Sequence, residues 1–208
     1  MRKTTFIAIA LAGLAASASA QDLRMPNSIN LFISPCGEPF EAPRGDAYPI
    51  VLWFNGADAN HDGKLDIDEM RNDAARFFQA LDRNGDGVID GQEVNWYETK
   101  LVPEILAPPT GALETGIVRV VMQDSMINHD PPPPDASYSK QGASFYSLFN
   151  EPEPVRSADR NFDYRITLAE FLAHSDRHFH ALDVDNQGYL TLARLPRTGA
   201  EREAKAHR

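Results

Sequence analysis

The sequence predicts a mainly α fold of paired helix–loop–helix units, and three observations predict it. Two twelve-residue segments, 58–69 (DANHDGKLDIDE) and 82–93 (DRNGDGVIDGQE), follow one plan: acid or amide at positions 1, 3 and 5, Gly at 6, an aliphatic at 8, Asp at 9 and Glu at 12. Only twelve residues, 70–81, separate them, and there Met70, Ala74, Phe77, Phe78 and Leu81 recur at helical spacing. The chain then repeats itself at an offset of 101 residues. Asp159, Asn161, Asp163 and Glu170 match Asp58, Asn60, Asp62 and Glu69, and Arg177, Phe179, Ala181, Leu182 and Asp183 match Arg76, Phe78, Ala80, Leu81 and Asp82. The whole pair is duplicated, its connecting helix included. The predicted fold is two such pairs, each with a shared central helix, flanking a Pro-rich middle segment.

Residues 1–20, MRKTTFIAIALAGLAASASA, join a basic start at Arg2 and Lys3 to an apolar run over 6–16 and the small residues Ala18, Ser19 and Ala20. This is the pattern of a secretory signal cut after Ala20, and its apolar run is short for a membrane span. Cleavage would move the net charge from −10 to −12. Such an excess of acid repels nucleic acid and anionic membranes and favours cations. The expectation is a periplasmic or secreted bacterial protein with no membrane anchor and no nucleic-acid partner. The 208 residues, 42% of them hydrophobic, suffice for one ordinary core or two small ones. A single cysteine, Cys36, excludes an internal disulfide. A buried thiol is the commoner outcome for a free cysteine; a reactive thiol or a link to a second chain is the alternative.

Residues 21–48 are turn-rich (PNSIN, SPCGEPF) and read as a loose N-terminal arm, with Leu31-Phe32-Ile33 as a short packed piece. Residues 49–102 form the first pair. Pro49 suits the first turn of a helix, which carries Ile50, Val51, Leu52, Trp53 and Phe54 into the first loop.

The loop spacing suits Ca²⁺, a hard ion that takes about six to eight oxygens. In the first loop Asp58, Asn60 and Asp62 would supply side-chain oxygens, Lys64 its backbone carbonyl, Asp66 a direct or water-mediated contact, and Glu69 two oxygens. In the second loop the same roles fall to Asp82, Asn84, Asp86, Val88, Asp90 and Glu93. Gly63 and Gly87 make the sharp turn at position 6. Leu65 and Ile89, both at position 8, are expected to pair as a short antiparallel bridge.

Both loops satisfy D-x-[DN]-x-[DN]-G-x₅-E in full, and on these residues the chain resembles the EF-hand family. The resemblance implies Ca²⁺ as the bound ion, at two sites with a third uncertain. The short shared helix is similar to that of compact bacterial EF-hand proteins such as lanmodulin, a lanthanide binder. Lanmodulin loops carry Pro at position 2, where this chain has Ala59, Arg83, Arg160 and Val184.

An exiting helix through about Leu101 follows, with Trp96 on it, until Pro103 breaks the pattern. Residues 103–150 read as a Pro-rich linker. It contains a candidate strand at 116–123 (GIVRVVMQ), an extended run at 131–134 (PPPP), and an aromatic cluster at 145–149 expected to make a helical turn.

Residues 151–195 form the second, degenerate pair. The third loop, DRNFDYRITLAE, keeps Asp159, Asn161, Asp163, the carbonyl of Arg165 and Glu170, but has Tyr164 at position 6 and Thr167 at position 9. A left-handed backbone at Tyr164 costs about 1–2 kcal/mol. The fourth, DVDNQGYLTLAR, has Gln187 at position 5 and Arg194 at position 12, a cation in place of the bidentate carboxylate. No Ca²⁺ is expected there; Leu190 would pair with Ile166. His174 and His178, four apart, face one way. Without a third ligand in sight they read as a solvated face rather than a transition-metal site. The tail at 196–208 is polar and reads as frayed.

No G-x-S-x-G, H-E-x-x-H or Gly-rich phosphate loop occurs, so no enzymatic activity is expected. The function expected is Ca²⁺ binding, as a sensor or signal modulator acting on a protein partner. A buffer or a Ca²⁺-stabilised structural protein is the alternative, and a lanthanide binder is a further one.

Overall fold

The computed structural model describes residues 29–106 and 141–206. The expected signal at 1–20, the strand at 116–123 and the proline run at 131–134 lie outside the described residues. Among the described residues no helix is long and apolar enough to cross a membrane.

The chain enters as a hairpin rather than a loose arm. Strand β1 (Ile29–Ile33) pairs antiparallel with β2 (Pro39–Pro43), Ile29 opposite Pro43 and Ile33 opposite Pro39. INLFI is apolar enough to be covered on both faces: Phe32 and Ile33 are fully buried, in different parts of the core. The prolines at the ends of β2 are tolerated because the sheet has only two strands, so an N–H can be missing from its open side.

Helix α1 (Ile50–Ala57) starts after Pro49, as its sequence predicts. The connecting segment is one continuous helix, α2 (Ile67–Leu81), and its copy is α4 (Leu168–Leu182). Between them lies α3 (Gly91–Trp96), which runs on as a π-helical turn (Tyr97–Leu101) and a 3-10 turn (Pro103–Leu106). The aromatic cluster begins in a 3-10 turn, Gly142–Phe145, and another, Arg156–Ala158, leads into the third loop.

Short strands β3 (Leu65–Asp66), β4 (Val88–Ile89), β5 (Ile166–Thr167) and β6 (Tyr189–Leu190) cross the four loops. Their pairing corrects the sequence expectation. Leu65 pairs with Leu190, not Ile89, and Ile89 pairs with Ile166. The first loop therefore joins the fourth, and the second joins the third.

The length of the shared helix explains this. A 15-residue helix holds the loops at its ends about 22 Å apart, whereas paired strands lie about 5 Å apart. The duplicate completes each bridge. Helix α4 lies antiparallel on α2: Arg71 donates to both oxygens of Asp176 at 2.7 and 2.9 Å, and Phe78 meets Phe171 edge-on with centroids 5.7 Å apart. The two bridges are images of each other under the 101-residue offset, since Leu65 corresponds to Ile166 and Ile89 to Leu190. At one end of the helix pair Phe32, Trp53, Leu65, Met70, Phe179 and Leu190 form a core; at the other Phe77, Phe78, Ile89, Tyr97, Ile166 and Phe171 do so.

The tail is not frayed over its described length. Helix α5 (Gly199–Ala206) begins behind Thr198, whose hydroxyl oxygen accepts the Glu201 amide at 3.0 Å. Thr198 and Glu201 are buried, and the Thr198 hydroxyl meets the Tyr48 hydroxyl at 2.9 Å. Cys36 is buried too, and burial pushes its thiol pKa up to about 12.

Candidate functional site

In the first two loops each acid or amide at positions 1, 3, 5, 9 and 12 is tied to the backbone of its own loop. Asp58 accepts the amides of Asp62 at 3.2 Å and Gly63 at 2.9 Å; Asn60 accepts Asp62 at 2.8 Å, and Asp62 accepts Lys64 at 2.9 Å. Asp82, Asn84 and Asp86 repeat this with Asp86, Gly87 and Val88 as donors.

Positions 9 and 12 also build the following helix. Asp66 caps α2 by accepting the Glu69 amide at 2.8 Å, and Glu69 accepts the Asp66 amide at 3.1 Å; Asp90 and Glu93 do the same for α3. The acid–x–x–Glu pattern is thus a capping box as well as part of an ion shell. The other oxygen of Glu69 reaches across the loop to the amides of Ala59 at 3.1 Å and Asn60 at 3.2 Å, and that of Glu93 to Arg83 at 2.7 Å and Asn84 at 3.2 Å. Both glutamates are buried, 8% and 5% exposed.

The basic side chains of these loops stay on aromatic rings. The Lys64 ammonium lies 4.4 Å from the centroid of Tyr189, and the Arg83 guanidinium 4.5 Å from that of Trp96. The side chains at the ligand positions offer only oxygen, most of it anionic, the chemistry that suits a hard divalent ion, and in this structure those oxygens accept backbone amides of their own loops.

The third loop keeps the turn but not the closure. Asp159 accepts the Phe162 amide at 2.8 Å and the Tyr164 amide at 2.9 Å; Asp163 accepts the Arg165 amide at 2.9 Å, and Asn161 bonds Asp163. Among the described residues, Glu170 bonds only Thr167, its own cap, and does not reach the amides at positions 2 and 3.

The backbone separates the four loops further. Position 6 is left-handed in all of them: Gly63, Gly87, Tyr164 and Gly188, with φ of 79°, 87°, 64° and 78°. Position 4 is left-handed as well: His61, Gly85, Phe162 and Asn186, with φ of 58°, 71°, 60° and 52°. This second requirement was not drawn from the sequence. The second loop meets both with glycine. The first carries His61, and the fourth carries Asn186, which tolerates this region well. The third carries two bulky aromatics there, and Phe162 and Tyr164 are 80% and 76% exposed, so packing does not offset the strain.

The fourth loop holds its own cation. Arg194 at position 12 binds Asp185 at position 3. Thr191 makes no capping box with Arg194, and the exiting segment is only the 3-10 turn Leu192–Arg194.

The histidine expectation is corrected. His174 and His178 are buried, not solvated, and the third partner absent from the local sequence is Glu151, 3.2 Å from His174 Nε2 and 3.1 Å from His178 Nε2.

A family model described as EF hand matches residues 50–72 and again 74–95. Those segments hold the first two loops with their flanking helices, and the matches support an EF-hand family for this part of the chain. No curated protein matches the chain.

Proposed function

We propose that the chain binds two Ca²⁺ ions, one in each of the first two loops, and that the ions fix the helix ends beside the two core clusters. Side-chain oxygens of Asp58, Asn60, Asp62, Asp66 and Glu69, with the Lys64 carbonyl, would hold the first. Asp82, Asn84, Asp86, Asp90 and Glu93, with the Val88 carbonyl, would hold the second. The ion would supply the positive charge that these acidic loops need; the chain supplies the turn, the caps and the closing glutamate.

The observation that carries this reading is the position of Glu69 and Glu93. Each already reaches from the start of its exiting helix across the loop to the entering side. Closure by position 12 therefore requires little rearrangement, which suits a Ca²⁺-stabilised protein or a buffer. The third loop, lacking that reach, would bind weakly and the fourth not at all. Residues 1–20 support an exported, periplasmic or secreted setting.

A sensor is the second reading, and Trp53 is the observation that favours testing it. This side chain, 1% exposed, ties α1 to α2 through a 3.0 Å bond from its indole N–H to Asp73. Any Ca²⁺-driven opening of those helices would break that bond. Trp53 fluorescence and melting temperature, followed through a Ca²⁺ titration in a Trp96→Phe background, separate the two readings. Stabilisation predicts a rise in melting temperature with a steady emission maximum. A red shift with new dye-binding apolar surface would establish the sensor. An unchanged melting temperature and emission would refute Ca²⁺ binding at the first loop.

A further inference from the structure

Among the described residues one cluster of metal-ligating groups, outside the loops, is assembled from two separate segments. His174 and His178 project from the middle of α4 on one face, with ring centroids 4.2 Å apart. Glu151, more than twenty residues upstream, brings its carboxylate against both. One ligand atom from each residue lies within 4.8 Å of the other two.

The polar atoms are left oddly placed for a purely structural contact. His174 Nε2 and Glu151 Oε2 are both buried and 3.2 Å apart without well-aligned hydrogen-bond geometry, while the other carboxylate oxygen bonds His178 Nε2 at 3.1 Å. His178 Nδ1 is buried without a partner as well. Unsatisfied buried polar atoms are costly and call for an explanation. An ion between them would satisfy Nε2 and Oε2 together.

The spacing fits a particular ion. Tetrahedral Zn²⁺, with bonds of about 2.0–2.1 Å, sets neighbouring ligand atoms about 3.3 Å apart. The two nitrogen–oxygen separations here are 3.2 and 3.1 Å, each to a different oxygen of Glu151, the second being also a hydrogen bond that an ion would replace. Imidazole selects borderline transition ions over Ca²⁺. Phe149 stacks on His178 with centroids 3.8 Å apart and planes 13° from parallel, covering one side of the site.

The duplication strengthens the case. At the equivalent positions of the first copy stand Asp73 and Phe77. Phe77 shows that the second position accepts an apolar ring, so burial alone does not explain an imidazole there.

We infer that Glu151, His174 and His178 form a metal site separate from the Ca²⁺ loops. It takes a borderline divalent cation of the Zn²⁺ class through one carboxylate and two Nε2 atoms, and leaves a fourth position for water. The ion would pin the segment around residue 151 to the middle of α4.

Arg177 controls access to this state. Its guanidinium lies 2.8 Å from His174 Nδ1. Arginine only donates, so Nδ1 accepts and the His174 proton sits on Nε2. Binding at Nε2 moves that proton to Nδ1 and turns Arg177, an exposed side chain, away.

The test uses Co²⁺ as a coloured probe and Zn²⁺ as competitor, on the whole chain with excess Ca²⁺ filling the loops. One Co²⁺ per chain should bind, with the intense visible absorption of a tetrahedral site, and Zn²⁺ should displace it. Glu151→Gln and His178→Gln should each weaken binding more than tenfold and leave the Ca²⁺ titration unchanged. Arg177→Ala should tighten it several-fold; weaker binding there would contradict ligation through His174 Nε2. Should the buried variants fail to fold, the ¹⁵N shifts of the His174 and His178 rings in the unmodified chain decide. Both Nε2 signals must move on Zn²⁺ addition. No Co²⁺ absorption, unmoved ring signals, or binding that survives Glu151→Gln in folded protein would overturn the site.

Discussion

The two copies of the helix–loop–helix pair share a backbone plan and differ in what closes it. In the first copy Glu69 and Glu93 span their loops, cap the exiting helices and are buried. In the second, Glu170 caps α4 but among the described residues bonds only Thr167, and Arg194 makes no capping box and binds Asp185 instead. Position 12 therefore does two jobs, spanning the loop and initiating the helix, and they can be lost separately. The third loop has kept the helix and loosened the closure. The fourth has lost both, and its exiting helix has shrunk to a 3-10 turn. Each loop of the first copy is bridged to one of the second, so the drifted copy still completes the mini-sheets.

The largest expected effect comes from removing closure where it exists. Glu69→Gln or Glu93→Gln should weaken Ca²⁺ at that loop by about 100-fold, roughly 2.7 kcal/mol. Calorimetry on each single variant should retain one tight site. Two tight sites in either variant would break the distinction drawn here.

The converse change restores a carboxylate. Arg194→Glu with Gln187→Asp removes the internal cation and completes positions 5 and 12 of the fourth loop. A new Ca²⁺ site of about millimolar affinity should appear, on the scale of weak EF-hand modules. Its absence from a folded variant would mean that the short exiting turn, not the charge, disables this loop.

A smaller effect is expected from relieving strain. Tyr164→Gly replaces an exposed left-handed aromatic and should stabilise the fold by about 1 kcal/mol. Thermal unfolding without Ca²⁺ checks this. Unchanged stability would show that the φ of 64° costs little here.

The smallest change isolates capping from ion binding. Thr198 and Glu201 begin α5 with the same cap-and-glutamate spacing but no ion loop. Thr198→Ala should cost about 1 kcal/mol and leave the Ca²⁺ titration as it was. An altered titration would couple α5 to the loops.

Local features were legible in the sequence because their causes are local. The twelve-residue spacing located the loops, the apolar periodicity gave α2, the internal repeat gave α4, and Pro49 marked α1. The bridge partners were misread because pairing within one copy was assumed. The length of the shared helix forbids that pairing, and the duplication supplies the alternative. The hairpin at Ile29–Pro43 was hidden by prolines that are harmless in a two-stranded sheet. The cap at Thr198 was readable as T-x-x-E and was passed over in a polar tail. Glu151 was not readable, since only the fold brings it to the histidines.

The measurement that tests the central claim most directly is a calorimetric Ca²⁺ titration of the chain beside a Glu69→Gln/Glu93→Gln double variant. The account predicts two tight sites in the former, at micromolar to sub-millimolar affinity, and none in the latter. No binding to the unmodified chain at millimolar Ca²⁺, or tight binding that persists in the double variant, would contradict it.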